Sequence, residues 1–400
     1  MATEDKPATS IQHSSYAMAT EDKPASIFSS MNHKILFLTL RVFSATGGIE
    51  RVCRIAGKAL YELGLQYGGL VNVFAMYGKA NDGDRNNYFP QLVFSTFDGD
   101  RIRFVRKAFS EGRQSKVVLM SHINLLVVGY LIKFFRPSVK LVLLAHGIEV
   151  WKLLPGWKKR MLRQCDLILP VSHFTKEKMK ALYGLPEEKF TVLNNCLDPF
   201  MELPLQKEKD PSLLERYGIK KEQLVLLTVS RMADTEQYKG YDKVLEVLPE
   251  LVKAHNDLRY LLVGKYDNKE KLRLDTIIHQ LGLEKVVIFS GLVPDQELAA
   301  HFNLGDIFIM PSEKEGFGIV FIEAMFYGIP VIAGNTDGSV DAICNGELGI
   351  GVNPNKKEEI IAAVNTIAAN RREHVPDHNK LEYHFGYRGY KEKLGEVIWV

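Results

Sequence analysis

Two carboxylates eight residues apart, Glu315 and Glu323, bracket the run Gly316-Phe317-Gly318-Ile319-Val320-Phe321-Ile322. Were that span helical they would lie about 12 Å apart. That is too far to share a proton, but it suits a grip on two ends of one elongated ligand. Gly316 and Gly318 leave backbone N–H groups open at a helix start, a site for anionic or hydroxyl-bearing groups. A second pair, Arg231 and Lys239-Gly240, follows an apolar strand pattern. One guanidinium fork and one ammonium point charge suit a diphosphate. Each feature also has a plain reading: a Gly-rich turn whose Glu favours the helix dipole, and a solvated loop. Their occurrence together in one half of the chain favours chemistry.

Such groups need elements to hold them. Residues 34–40, 69–75, 117–120, 139–145, 166–171 and 189–193 read as buried strands, and 49–63 has helical apolar spacing after the Gly47-Gly48 turn. At 198–210 two prolines and mixed charges break the pattern, as X-Pro steps do. The alternation then restarts, with strands at 224–230, 260–263, 286–289, 307–310 and 330–333, and helices at 241–255, 268–281, 295–302 and 319–327. Short strands alternating with helices predict parallel sheets of βαβ units. The expected organisation is an α/β chain of two doubly wound, Rossmann-like domains, 31–197 and 211–375, facing a cleft. A linker at 198–210 joins them, and a C-terminal helix within 376–400 crosses back to the first. In such sheets ligands bind outside the carboxyl ends of the strands.

Composition narrows the function classes. With 400 residues, 46% hydrophobic and 25% charged, the chain can bury the cores of two or more domains, which excludes disorder and a disulfide scaffold. Four scattered cysteines without a C-x-x-C pair read as core residues in a reducing compartment, and no metal site is expected. The longest apolar stretch, 117–132, is 16 residues and contains Ser121, His122 and Asn124, short of the roughly 20 needed to span a membrane. MATEDKPA at 1–8 recurs at 18–25, so residues 1–30 read as a polar, disordered leader or tag, with Met31 as the expected functional start. Residues 31–200 hold 25 Lys and Arg against 13 Asp and Glu, whereas 201–400 hold 24 against 31. The basic half carries Arg101, Arg103, Arg106, Lys107, Lys158, Lys159, Arg160 and Arg163, with Trp151, Leu153, Leu154 and Trp157 interleaved. Such a surface attracts anions, including an anionic membrane face. No nucleic-acid-binding motif accompanies it.

The second half resembles the nucleotide-sugar domain of retaining GT-B-fold glycosyltransferases of family 4, the group 1 glycosyl transferases of bacterial polysaccharide assembly. The resemblance runs from about 224 to 355. It rests on Val229-Ser230-Arg231 with Lys239-Gly240, Leu262-Val263-Gly264, Phe289-Ser290-Gly291 with Asp295–Leu298, Met310-Pro311-Ser312, the Glu315/Glu323 pair and Gly328-Ile329-Pro330-Val331-Ile332, in the family's order. The first half is similar more loosely, through Gly47-Gly48-Ile49-Glu50, His146-Gly147, Val171-Ser172 and Val192-Leu193-Asn194-Asn195.

The resemblance implies that Arg231 and Lys239 hold the donor diphosphate together with Gly47, Gly48 and the helix start at Ile319 and Val320. It implies that Glu323 takes the ribose, and that Glu315, Gly316 and the amides around Phe317 and Gly318, with His146, hold the donor sugar. Gly264, Lys265 and Leu292 would frame the base. Glu315, His146, Arg231 and Lys239 would be the catalytic set, with no metal or other cofactor. The implied partners are a nucleotide-sugar donor, UDP-glucose first among several hexose donors, and a saccharide acceptor. A lipid-linked acceptor would set the protein at the cytoplasmic membrane face; soluble sugars are the rival.

Three positions depart from the family's pattern: the longer loop 232–238, Asn194-Asn195-Cys196 in place of a Pro-Asn-Gly turn, and Asp341 in place of Glu. The Asp-Gly-Asp triplets at 82–84 and 98–100 are read as turns and not as the metal-binding carboxylates of the other large glycosyltransferase fold. His122 and His173 also follow strands and could touch an acceptor, but an isolated histidine is read first as a structural residue. Two rival functions remain on the same architecture: a non-catalytic sugar-nucleotide or glycan-binding protein, and a UDP-sugar epimerase, for which no acid/base carboxylate pair stands out in the first half. A nicotinamide dehydrogenase fails for want of G-x-G-x-x-G after the first strand. Domain closure is expected about the linker and the C-terminal helix.

Overall fold

A computed structural model describes residues 33–45, 47–84, 86–203 and 208–399. The proposed leader, the Met31 start and residues 204–207 of the linker lie outside the described residues. The first sheet is built from β1 (Lys34–Thr39), β2 (Leu70–Ala75), β3 (Phe94–Thr96), β4 (Val117–Met120), β5 (Lys140–Ala145) and β6 (Leu167–Pro170). The second comprises β7 (Val225–Val229), β8 (Arg259–Val263), β9 (Val287–Gly291), β10 (Ile307–Met310), β11 (Val331–Gly334) and β12 (Ile350–Val352). Every strand pair is parallel, and the orders are β3-β2-β1-β4-β5-β6 and β12-β11-β10-β7-β8-β9. Each sheet thus starts in its middle, winds to one edge, then returns to wind to the other. The reversal lies between β1 and β4, where Ile35 sits opposite Val117, and between β7 and β10, where Leu226 sits opposite Ile307. A crevice opens outside the strand ends at each such switch point.

The central strands are covered by helices on both faces, so they carry continuous apolar runs and not an alternating pattern. In β1 every residue after Lys34 is buried, and all of β4 and β10 is buried. The edge strands β3 and β12, three residues each, are too short to show any period and have no counterpart in the sequence reading. Conversely, 189–193 forms no strand. Phe190 makes one isolated bridge to Ile168, and the chain then follows the sheet edge through Thr191 N–H to the Ile168 carbonyl and Leu193 N–H to the Pro170 carbonyl. The strand it would pair with is four residues long and ends at Pro170.

Helix Gly48–Tyr67 runs one turn beyond its expected end, because the glycine that terminates it in the left-handed conformation is Gly68, while Gly64 is buried inside it. Its apolar face, including Cys53, Ala56, Leu60 and Leu63, packs in one core with Tyr390, Leu394 and Ile398 of the last helix, Tyr387–Ile398. The preceding helix, His378–Phe385, sends Leu381 and Phe385 into the core of the other sheet, so the chain crosses between domains at Gly386. The Leu197 N–H donates to the Phe385 carbonyl at 2.8 Å, tying the two crossings together. All four thiols are free; Cys53 and Cys165 are pushed up to about 12 by burial, as small core residues. Among the described residues no helix is long and apolar enough to cross a membrane. Stretch 117–132 divides into β4, a short turn and the start of helix Leu126–Phe135. Asp82 accepts from the Lys79 N–H in a turn, and Asp100 caps helix Arg101–Gly112 through the Arg103 N–H.

Candidate active site

Both switch points open into one cavity of about 810 Å³ between the domains. Gly47, Gly48, His146, Arg231, Lys239, Gly264, Lys265, Leu292, Glu315, Gly316, Gly318, Ile319, Val320 and Glu323 all line it. Phe317 does not: its ring is fully buried against Phe385, and only its backbone belongs to the loop that faces the cavity.

The second domain supplies the charged wall. Arg231 follows β7 and Lys239 closes the loop after it. Between them Glu236, a buried carboxylate absent from the sequence reading, forms an ion pair with Arg231 and approaches the Lys239 ammonium at 3.4 Å. Beside this cluster, Gly318 in the left-handed conformation (φ 83°) starts helix Ile319–Phe326 with no side-chain cap, so its first N–H groups face the cavity. The Glu315 backbone is fixed by buried Asp337, which accepts from the Glu315 N–H at 2.6 Å, from Ser312 Oγ at 2.8 Å and from the Ser339 N–H at 2.9 Å. Burial pushes the Glu315 carboxyl above the usual range; neighbouring Lys239 pulls it back, while Asp337 and Glu236 add to the rise. Glu323, one face along the helix, is buried and paired with Arg51 of the first domain. At the rim, Gly264 (φ 135°) passes so close to the Ser230 carbonyl that any side chain would collide, and its N–H donates to the Gly291 carbonyl at 3.0 Å, next to exposed Leu292.

The first domain supplies a wall on which a neutral imidazole, His146, stands beside the guanidinium groups of Arg51 and Arg54. His146 follows β5; its Nε2 lies 2.9 Å from the Ser121 carbonyl, which only accepts, so Nε2 carries the proton and Nδ1 is left as an acceptor. Burial pushes the imidazole down to about 4, so it is neutral at physiological pH. The His146 N–H donates to Glu149 at 2.6 Å, and burial holds that carboxyl above its ordinary range. Gly47 and Gly48 open helix Gly48–Tyr67, again uncapped, and the next turns present Arg51 and Arg54 to the cavity. His122 accepts from the Asn124 N–H and caps a single turn. His173, by contrast, bridges the domains: its N–H and Nδ1 lie 2.8 and 2.7 Å from Asp341 Oδ1. Asn194 holds the Val171 carbonyl at 3.0 Å, in place of a Pro-Asn-Gly turn.

Glu236, Arg51, Arg54 and Tyr266 are among the cavity residues that reading the sequence missed, as are Glu149, Tyr238 and Asp267. Glu236 sits in the long 232–238 loop, and a charge between two cations was the available signal. Arg51 and Arg54 follow Gly48 at positions three and six along a helix, one face of it, which periodicity could have found.

Two parallel sheets of order 3-2-1-4-5-6 in separate domains, with the loops at their strand ends facing one cleft, define the GT-B class of folds. Residues 210–391 match the family model of glycosyl transferases group 1, and residues 46–199 match that of glycosyltransferase family 4. The chain belongs to this family of glycosyltransferases. It is 29% identical over 244 residues to a GDP-mannose-dependent alpha-(1-6)-phosphatidylinositol monomannoside mannosyltransferase of Mycolicibacterium smegmatis, over 58% of this chain and 62% of that protein. It is 28% identical over 204 residues to the mannosylfructose-phosphate synthase of Agrobacterium fabrum, over 50% of this chain and 44% of that protein. The chain thus spans about three fifths or less of the length of these curated relatives. In fold it is similar to HepE of Anabaena, solved with UDP and glucose, at a TM-score of 0.73 and 19% identity, covering 92% of this chain and 99% of that one.

Proposed function

We propose that this protein is a retaining, metal-independent hexosyltransferase that moves a hexose from a nucleoside diphosphate sugar to a saccharide acceptor. The observation that carries the reading is the convergence of Arg231, Lys239 and the uncapped helix start at Gly318–Val320 on one wall of a cleft, opposite neutral His146. When the bond from the sugar's anomeric carbon to the diphosphate breaks, negative charge grows on the phosphate oxygens. Fixed cations and helix-end amides stabilise that charge more in the transition state than in the ground state. The acceptor hydroxyl attacks from the leaving-group face, its oxygen bonds to the anomeric carbon, and its proton passes to the departing phosphate. Glu315, the neighbouring amides and His146 Nδ1 position the donor sugar's hydroxyls, and Glu323 takes the ribose.

UDP-glucose is the first donor in this reading, supported by the fold shared with HepE. GDP-mannose is the second, supported by the name of the Mycolicibacterium relative. For the acceptor, a lipid-linked saccharide at the cytoplasmic membrane face is supported by the first domain's outer surface. Helices Arg101–Gly112, Leu126–Phe135 and Gly156–Arg163 pack side by side and expose Ile102, Val127, Phe134, Phe135 and Trp157 among their Lys and Arg residues.

The test is a thermal-shift and donor-hydrolysis panel of UDP, GDP, UDP-glucose, UDP-galactose, UDP-N-acetylglucosamine and GDP-mannose with chelator present, on wild type and Arg231→Ala. One nucleotide should stabilise the protein, and its sugar should be released slowly. Arg231→Ala should lower that release about a hundredfold or more. Stabilisation without turnover, even with acceptor saccharides added, would favour the non-catalytic binding protein. Interconversion of UDP-glucose and UDP-galactose would favour the epimerase, and no response to any nucleotide would overturn the donor site.

A further inference from the structure

The two cations assigned to the diphosphate share one carboxylate. Glu236 Oε1 pairs with Arg231 Nη2, and Oε2 approaches Lys239 Nζ at 3.4 Å. The side chain is almost entirely buried, yet it has no other partner among the described residues. Carboxylates that serve the scaffold look different: Asp337 accepts from two backbone N–H groups and a hydroxyl, and Glu270 is held by Tyr241, Gln237 and Arg273.

The loop that carries Glu236 is anchored without it. Asp234 pairs with Lys269 at 2.7 Å, its N–H donates to Asp267 at 3.0 Å, and Gln237 donates to Glu270 at 3.0 Å, fastening both flanks to helix Asn268–Leu281 and its cap. Between these anchors Glu236 leaves helical geometry (φ −124°, ψ 22°) and turns its carboxylate to the cleft. Gly240 in the left-handed conformation (φ 77°) then ends the loop directly against the Pro311 carbonyl. Arg231, two-thirds exposed, is free to swing from one anion to another.

We propose that Glu236 competes with the donor diphosphate for Arg231 and Lys239. The cations exchange a carboxylate for phosphate oxygens when donor binds, and exchange back when the nucleoside diphosphate leaves. A buried carboxylate stripped of its cations is unfavourable, so this exchange lowers the affinity for the nucleoside diphosphate and speeds its release. The proposal rests on the donor-site reading above and adds a device for product release that the long 232–238 loop makes possible.

Calorimetric titration of UDP and GDP into wild type, Glu236→Gln and Glu236→Asp at fixed ionic strength tests it, with dissociation rates from stopped flow. Glu236→Gln keeps the shape and removes the charge. It should bind the preferred nucleotide about tenfold more tightly, mainly through slower dissociation. Glu236→Asp, with the charge withdrawn by one methylene, should fall between, and it carries the test if the Gln variant does not fold. A Glu that merely orients the cations predicts the opposite sign. Unchanged or weaker binding by the variants, with wild type binding normally, overturns the proposal alone; wild type and variants that bind neither nucleotide overturn the donor-site reading and the proposal with it.

Discussion

At the scale of single residues, burial holds three ionisable groups of the cleft, His146, Glu149 and Glu315, away from their ordinary behaviour. His146 shows the consequence for stability. Its imidazole is pushed down from 6.5 to about 4 by burial, with the Ser121 carbonyl only partly offsetting the effect. Between those values the unfolded chain takes up a proton that the folded one refuses, so stability present above pH 6.5 is lost as the pH falls through this window. His146→Gln removes that contribution. In urea unfolding, wild type should lose on the order of 2 kcal/mol more stability than the variant between about pH 7 and 4.5. Equal losses would mean that His146 is not buried neutral, and its role as a neutral acceptor for a sugar hydroxyl would fall with it.

At the scale of elements, backbone geometry aims these groups. Helix Ile319–Phe326 can face its N–H groups to the cleft because Gly318 takes a left-handed turn before it. Gly316 goes further: a Cβ there would meet the His146 carbonyl, and a Cβ at Gly147 would meet the Gly316 Cα. These two glycines let the strand-end loops of opposite domains touch backbone to backbone. Gly316→Ala must therefore hold the loops apart, moving Glu315 from His146. A displacement of about 1 Å can cost a hundredfold in rate. Transfer activity should fall by about that factor while the melting temperature moves little, since each domain's core is untouched. Full activity in Gly316→Ala would show that the loops need not touch during the reaction.

Across the whole molecule, charge is divided between the domains. The first half holds the cationic excess, spread over three neighbouring helices together with exposed Phe134, Phe135 and Trp157. Each Lys or Arg near an anionic bilayer contributes about 1 kcal/mol, and salt screens that attraction. Sedimentation with phosphatidylglycerol vesicles should pull the protein down at low salt and release it at high salt, with pure phosphatidylcholine as the negative control. Trp157→Ala should weaken the association severalfold. Equal partition to both lipids would remove the argument for a membrane-side acceptor. The domains are also linked across the cleft by Arg51–Glu323 and His173–Asp341, so the ribose carboxylate of the proposed site answers to both halves of the protein.

Local pattern determined much of this protein. Buried parallel strands are nearly continuous apolar runs, so β1, β4, β7 and β10 were legible, as was the α/β class that follows from their alternation with helices. Arg231, Lys239, Glu315 and Glu323 were legible as residues that line the cavity, because charge and glycine in the loop after a strand, and on the helix that loop opens, are local signals. What the sequence could not determine is what depends on neighbours far along the chain. The edge strands β3 and β12 exist only because β2 and β11 offer them hydrogen bonds. Phe317 lies in the core because Phe385, returning from the far end of the chain, packs against it. Arg51 becomes the partner of Glu323, and Glu236 the shared partner of two cations, because folding buries both carboxylates, and a buried carboxylate left unpaired is costly. Period and composition record what each residue prefers; only the tertiary structure decides which charge it must answer.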